Sequence, residues 1–248
     1  MQVFGVDVGG SGVKGAPVDL ETGDLAAKRL RIPTPQPSTP EAVSGAIAQI
    51  VENHGWNGRV GVTIPGVVRS GVVETAANID DGWVGLDAAN MLGDRLEMPV
   101  TVLNDADAAG LAEARYGAAA GVDGVVILLT FGTGIGSAYL HDGCLIPNSE
   151  LGHLIFKEQK AEHYAAGRLV KRGELEIDWW ARRVDELLNY IEELFWPDLI
   201  VFGGGISKRF EEYSHHFTTR AHIVPAVLRN QAGIVGAAFA ASIGATHE

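Results

Sequence analysis

Short apolar runs bounded by glycine, proline and small polar residues alternate along the chain with longer stretches whose apolar positions return at a helical period. Residues 3–8, 13–19 and 26–32 predict three consecutive strands, with Thr22-Gly23 turning the chain between the last two. Pro33, Pro35, Pro37 and Pro40 form a stiff connector into a helix over 41–53, for which Thr39 is the N-cap ahead of a proline in the first turn. Residues 60–64 and 100–103 predict buried strands, and 106–116 a helix that Gly117 ends. Beyond it come strands at 125–130 and 135–140, helices at 161–172 and 177–194, a strand at 199–202 and a last helix from 232. Strands that alternate with helices in this way predict an α/β fold.

One echo refines the picture. Residues 3–15 and 126–140 each read as an apolar run, a turn rich in glycine with serine or threonine, and a second apolar run. That internal repeat predicts two similar lobes: residues 1–105, with the terminal helix 232–248 packing back on them, and residues 106–231. The length of 248 residues accommodates two such lobes without disulfide or metal staples.

Charge and cysteine content narrow the function classes. The net charge of -12 opposes loose binding to nucleic acid or anionic lipid, so a polyanionic ligand needs a local basic groove. The single cysteine, Cys144, and the lack of any CxxC or Cys/His cluster argue for a reducing compartment, the cytoplasm by default, and against structural zinc. The N-terminus reads as a strand rather than a signal peptide, and the most apolar stretches fall short of the roughly 18 to 20 residues a membrane span requires.

The first glycine turn holds Asp7, Gly9, Gly10, Ser11, Gly12 and Lys14. It contains a formal G-x-G-x-x-G, yet Ala16-Pro17-Val18 continues extended where a dinucleotide fingerprint opens a helix, and Lys14 lacks the following Ser or Thr of a Walker loop. The remaining reading is a hairpin whose backbone N–H groups approach phosphate, with Ser11 and Lys14 as added donors and Asp7 placed to hold hydrated Mg²⁺. Thr130, Gly132, Thr133 and Gly134 repeat that set, and Gly203, Gly204 and Gly205 follow a further apolar run. Asn104-Asp105 stands where a buried strand meets a helix: Asp105 is either the N-cap or a base that accepts a hydroxyl proton, with Asn104 on a neighbouring hydroxyl. Glu150 and His153 supply an acceptor and a donor or acceptor, suited to adjacent sugar hydroxyls or to a buried polar pair.

Together, DVGGSGVKGAPVD at 7–19, TFGTGIGSA at 130–138, PNSELGH at 147–153, PDLIVFGGGISK at 197–208 and NQAGIVGAA at 230–238 resemble the ROK sugar kinases of the actin, Hsp70 and hexokinase superfamily, and within them the bacterial polyphosphate glucokinases. The resemblance covers nearly the whole chain. It implies a two-lobed, ribonuclease H-like fold with the active site in the cleft, and a sugar site of Asn78, Asn104, Asp105, Glu150, His153 and Glu162 with Asp105 as general base. Most ROK kinases carry a cysteine-rich zinc segment between the positions matching His153 and Glu162, where this chain has LIFKEQKA, so no zinc is expected there. Arg168, Lys171 and Arg172 fall on one helix face, as either a polyphosphate groove or a solvated surface.

The implied reaction is in-line phosphoryl transfer to the 6-hydroxyl of glucose from polyphosphate, with ATP as a possible second donor and Mg²⁺ as cofactor. A homodimer is the family habit, and the aromatic-rich helix from Trp179 could be interface or core. Rival readings are an ATP-dependent glucokinase or mannokinase, a sugar-sensing ROK repressor, for which the N-terminus leaves no helix-turn-helix, and an actin-like ATPase that has no use for paired hydroxyl-binding groups.

Overall fold

The computed structural model describes residues 1–244. The last four positions of the helix expected over 232–248 lie outside them. The chain divides into two compact units, residues 1–112 with the chain from Asn230 onward, and residues 113–229.

In the first unit β1 (Gln2–Gly9) and β2 (Gly12–Asp19) form an antiparallel hairpin, and β3 (Leu30–Ile32) adds to its outer side. The expected strand over 26–32 is thus shortened to its last three residues. Helix α1 (Pro40–Asn53) starts as the sequence requires, since the Thr39 side chain accepts from the Ala42 N–H at 3.3 Å. Next, β4 (Val60–Ile64) pairs parallel with β1. A small hairpin of β5 (Val68–Arg69) and β6 (Val72–Val73) and helix α2 (Ala88–Leu96) lead to β7 (Val100–Asn104), which pairs parallel with β4. Helix α3 (Asp105–Tyr116) follows without a linker, and the division between units falls inside it. Phe4, Val6, Val8, Ile47, Ile50, Val62, Ile64 and Trp83 are fully buried together in this unit's core. Each such side chain contributes about 1.5–3 kcal/mol by leaving water.

The second unit repeats the plan. Strands β8 (Val125–Phe131), β9 (Ile135–His141) and β10 (Cys144–Ile146) run antiparallel in succession. The segment LIFKEQKA forms the hairpin of β11 (Ile155–Phe156) and β12 (Gln159–Lys160), turned by Lys157 and Glu158 at positive φ. The Lys157 ammonium and the Tyr164 hydroxyl both donate to Glu186, which fastens this hairpin to the long helix below.

The helix expected over 161–172 is broken into α4 (Ala161–Ala165) and α5 (Arg168–Lys171). Ala166 is extended, and the Arg168 N–H donates to the Gly132 carbonyl at 2.9 Å instead of continuing a helical ladder. Helix α6 (Ile177–Phe195) buries Trp180, Ala181, Val184, Leu187, Leu188 and Ile191 along one stripe and leaves Trp179 and Leu194 exposed. Strand β13 (Leu199–Gly203) pairs parallel with β8, a 3-10 turn (Gly205–Arg209) runs into α7 (Phe210–Tyr213), and β14 (His222–Pro225) pairs parallel with β13. The sheet orders β3-β2-β1-β4-β7 and β10-β9-β8-β13-β14 are one topology used twice, as the internal echo predicts.

The last helix, α8 (Ala232–Ile243), returns to the first unit. It lies on that unit's sheet through glycines: a Cβ at Gly5 would stand 1.9 Å from the Ile234 carbonyl oxygen, and one at Gly61 1.8 Å from that of Ala237. Among the described residues no helix is long and apolar enough to cross a membrane.

Candidate active site

In the first unit the β1–β2 turn is organised around Asp7. Asp7 and Lys14 are cross-strand partners, and the Lys14 ammonium donates to Asp7 Oδ2 at 3.0 Å. The Thr63 hydroxyl donates to Asp7 Oδ1 at 3.2 Å and accepts from the Val8 N–H, which ties the carboxylate to β4. The start of α8 also closes on it, since a Cβ at Gly233 would lie 2.9 Å from Asp7 Cγ. Each Asp7 oxygen therefore holds one protein donor and keeps capacity for another. That arrangement fits water-mediated contact with a hydrated Mg²⁺ better than an all-protein cage.

Sequence reasoning missed Arg31 of β3. Its guanidinium donates to the Ser11 carbonyl at 2.7 Å and lies so close over Gly12 that a Cβ there would meet Arg31 Nε at 2.6 Å. Arg31 owes this position to the antiparallel pairing of β3 with β2, which sets it opposite Lys14, and the motif itself carries no signal for it. The Thr34 hydroxyl donates to the Gly9 carbonyl in the same turn. Asn78, at φ 63°, also borders the turn, and a Cβ at Gly10 would meet its Cβ at 3.4 Å.

At the β7–α3 junction Asn104 Oδ1 accepts from the N–H groups of Ala106 (2.7 Å) and Asp107 (3.0 Å), while its Nδ2 donates to the Gly66 carbonyl at 3.0 Å. Asn104 is thus the group that caps α3; it is buried at 6% exposure, and these hydrogen bonds all run to the protein. Asp105 Oδ1 accepts from the Ala106 N–H at 2.9 Å.

In the second unit Glu150, His153 and Glu162 come together. His153 Nδ1 stands 3.9 Å from Glu150 Oε2 and its Nε2 3.9 Å from Glu162 Oε1. The segment is seated by Ser137, whose buried hydroxyl donates to the Ser149 carbonyl and accepts from the Leu151 N–H. Burial pushes the Glu150 carboxyl above the ordinary range, and the Glu162 charge adds to this while His153 and Lys160 oppose it. Glu162 leans on the β8–β9 turn: a Cβ at Gly134 would stand 2.5 Å from Glu162 Oε2. Sequence spacing left the placement of Glu162 to resemblance, and the β11–β12 hairpin is what returns it to His153.

The same turn borders a cavity of about 490 Å³ lined by Phe131, Gly132, Thr133, Gly167, Arg168, Val170, Lys171, Gly205, Ile206 and Arg209. Phe131, Val170 and Ile206 give it apolar walls, and Arg168, Lys171 and Arg209 give it charge. Gly204, at φ 88°, packs against the Phe131 backbone, where a Cβ would lie 2.4 Å from the carbonyl oxygen. Arg168 is anchored by donation to the Thr133 carbonyl, and Arg209 by a two-pronged pair with Glu212. Arg172, expected beside Arg168 and Lys171, keeps its helical spacing from Arg168 but lies outside the cavity lining and pairs with Glu174 at 3.8 Å. Within this unit the structure therefore brings together the Glu150, His153 and Glu162 side chains, a glycine turn and a basic cavity.

Residues 3–169 match the ROK family. The chain belongs to that family. It is 51% identical over 245 residues to the polyphosphate glucokinase of Mycobacterium tuberculosis (strain CDC 1551 / Oshkosh), covering 98% of this chain and 92% of that protein. Among solved structures it is similar to the inorganic polyphosphate/ATP-glucomannokinase of Arthrobacter sp. strain KM, with a TM-score of 0.93 and 48% identity over 98% of this chain and 99% of that one. It is also similar to the ROK family glucokinase of Streptomyces griseus in complex with glucose and AMPPNP, with a TM-score of 0.85 and 25% identity over 98% of this chain and 100% of that one. The α/β architecture with one topology used twice is the ROK kinase fold.

Proposed function

We propose that this ROK kinase transfers the terminal phosphoryl group of inorganic polyphosphate to the 6-hydroxyl of glucose, giving glucose 6-phosphate and a polyphosphate shorter by one residue. The observation that carries the reading is identity of 51% with a polyphosphate glucokinase across nearly the full length of both chains. The basic cavity of the second unit supports it, because a protein of net charge -12 needs a local cluster of cations to hold a polyanion.

In the first unit Asp105 accepts the proton as the glucose 6-oxygen forms its bond to phosphorus, and the bridging P–O bond breaks with its electron pair leaving on the shortened polyphosphate. Asn104 fixes the start of α3 and with it the Asp105 backbone. In the second unit Glu150 and Glu162 accept from glucose hydroxyls, and His153, near both carboxylates, donates to or accepts from a third. In each unit the glycine turn offers backbone N–H groups and small side chains to phosphate, with Lys14 beside the first of them. Asp7 would hold a hydrated Mg²⁺, which would supply neutralisation of phosphate charge. Arg168, Lys171 and Arg209 hold the polyphosphate chain, and the apolar walls beside them suit a nucleoside, so ATP is a second donor of the same cavity. Family habit further suggests a homodimer, which light scattering on the purified protein tests.

Polyphosphate and ATP supplied separately with glucose and Mg²⁺, with glucose 6-phosphate as readout, test the proposal. Turnover with polyphosphate is expected, and product from ATP alone would overturn the donor assignment. Changing Arg168 and Lys171 to alanine is expected to raise KM for polyphosphate and flatten its salt dependence while leaving KM for glucose unchanged.

A further inference from the structure

Away from the residues assigned to the reaction, the first turn of α6 meets the 3-10 turn Ser214–His216, which follows directly on α7. Three metal-ligating side chains converge there. One ligand atom each from Asp178, His215 and His216 lies within 4.8 Å of the others. His216 Nε2 stands 3.4 Å from Asp178 Oδ1. That spacing matches the edge of a tetrahedron whose metal bonds are about 2.0–2.1 Å long.

The cluster is set in advance by the fold. The His216 side chain is only 13% exposed, and the rings of His215 and His216 lie 4.1 Å apart between centroids. Just past them, the Thr218 N–H and hydroxyl both donate to Asp185 on the next turns of α6, and the Phe217 N–H donates to the Ser214 carbonyl. The histidine-bearing turn is therefore pinned to α6 by contacts that do not use the three ligands. Asp178 and His215 face solvent, which gives an ion a route in and leaves room for water as a further ligand.

We propose that Asp178, His215 and His216 form a binding site for a divalent transition ion of the Zn²⁺ class. Two imidazoles and one carboxylate suit zinc, nickel or copper, whereas Mg²⁺ and Ca²⁺ take oxygen ligands, so the site is chemically separate from the phosphate-linked Mg²⁺. It uses no residue of the β11–β12 hairpin. A bound ion would link the start of α6 to the segment 205–216, which also carries Ile206 and Arg209 of the basic cavity. The site stands whether or not polyphosphate is the donor.

The test uses full-length protein without a histidine tag, stripped with EDTA and titrated calorimetrically with ZnCl₂ and, separately, MgCl₂. One Zn²⁺ per chain is expected, with no Mg²⁺ at this site. His216→Ala and Asp178→Asn should each weaken Zn²⁺ binding by about tenfold or more, since loss of groups that merely support a ligand already costs 10- to 100-fold. Thermal unfolding should rise with Zn²⁺ in the wild type and not in these variants. His153→Ala, which removes the imidazole of the sugar site, should keep Zn²⁺ binding. Asp178 is exposed, so Asp178→Asn should fold and retain glucose phosphorylation in metal-stripped buffer with Mg²⁺, which separates loss of metal from loss of structure. Wild-type protein that takes up no Zn²⁺, or a His215→Ala/His216→Ala double variant that binds it as tightly as the wild type, overturns the proposal.

Discussion

Gly134→Ala provides a sharp perturbation of the sugar site because it acts on one carboxylate from a position the sugar is not proposed to touch. A methyl group there would stand 2.5 Å from Glu162 Oε2, and real Cβ contacts essentially never fall below 3.0 Å. The carboxylate must therefore retreat by about half an ångström or more, enough to stretch an O–H···O⁻ bond of about 2.7 Å out of range. Gly134 lies outside the left-handed region and the obstructing atom ends a flexible side chain, so the backbone bears little strain. Loss of a hydrogen bond to a charged group costs about 1.5–3 kcal/mol. At about 1.4 kcal/mol per decade this is a fall of roughly 10- to 100-fold in kcat/KM for glucose.

Gly132→Ala is the matched control. It sits in the same turn, yet a Cβ there meets nothing within 4 Å. It should leave the glucose KM alone and act, if at all, through the donor. The assay is steady-state kinetics with each substrate varied in turn, beside a thermal melt. A Gly134→Ala enzyme with a wild-type melt and an unchanged glucose KM would refute the placement of Glu162 in the sugar site, as would equal glucose defects in both variants.

Three further outcomes follow from the same geometry. Asp105→Asn should bind glucose in calorimetry and lose about 10²- to 10⁴-fold in kcat, the range of a general base; near-normal turnover removes Asp105 from that role. Glu113, 1% exposed, accepts from the N–H groups of Ala118, Val227 and Leu228, so Glu113→Ala should cost about 3 kcal/mol or more and lower Tm by roughly 6–12 °C, read by thermal denaturation. Because burial raises the Glu150 pKa on folding, the native state binds its proton more tightly than the unfolded chain does, and this group's contribution to stability falls as pH rises from the ordinary glutamate range through the raised value. Glucose affinity should move the opposite way, weakening as pH drops through that raised value and Glu150 loses its charge. In Glu150→Gln that acid limb should vanish, and a limb of the same midpoint in the variant assigns it to another group.

The repeated topology was open to reading because it rests on local chemistry. Apolar runs of strand length, glycine turns and the Thr39-Pro40 helix start each announce themselves within a few residues. What escaped was set by partners far along the chain. The helix expected over 161–172 fails because the Gly132 carbonyl takes the Arg168 N–H, a competitor far upstream that no periodicity reveals. Arg172, paired with Glu174, lies outside the cavity lining, and Arg209, from another element, is the third cation there.

The site divides along the same line. Asp7 and Lys14 were legible as a turn, and their pairing follows once β1 and β2 are in register, since the two residues then face each other. Asn104 was legible as a polar residue at a strand end, but its share of the work was not: two N–H groups and the Gly66 carbonyl occupy it, so the helix start that positions Asp105 is held by Asn104 rather than by Asp105 itself. Glu162 needed the β11–β12 hairpin, whose two positive-φ turn residues, Lys157 and Glu158, carry none of the glycine or asparagine that usually marks such a turn. Lys157 is held there by Glu186 and by the Tyr164 ring, so a tertiary contact substitutes for the missing turn signal. The same contact, by fixing the hairpin, sets where Glu162 stands relative to His153.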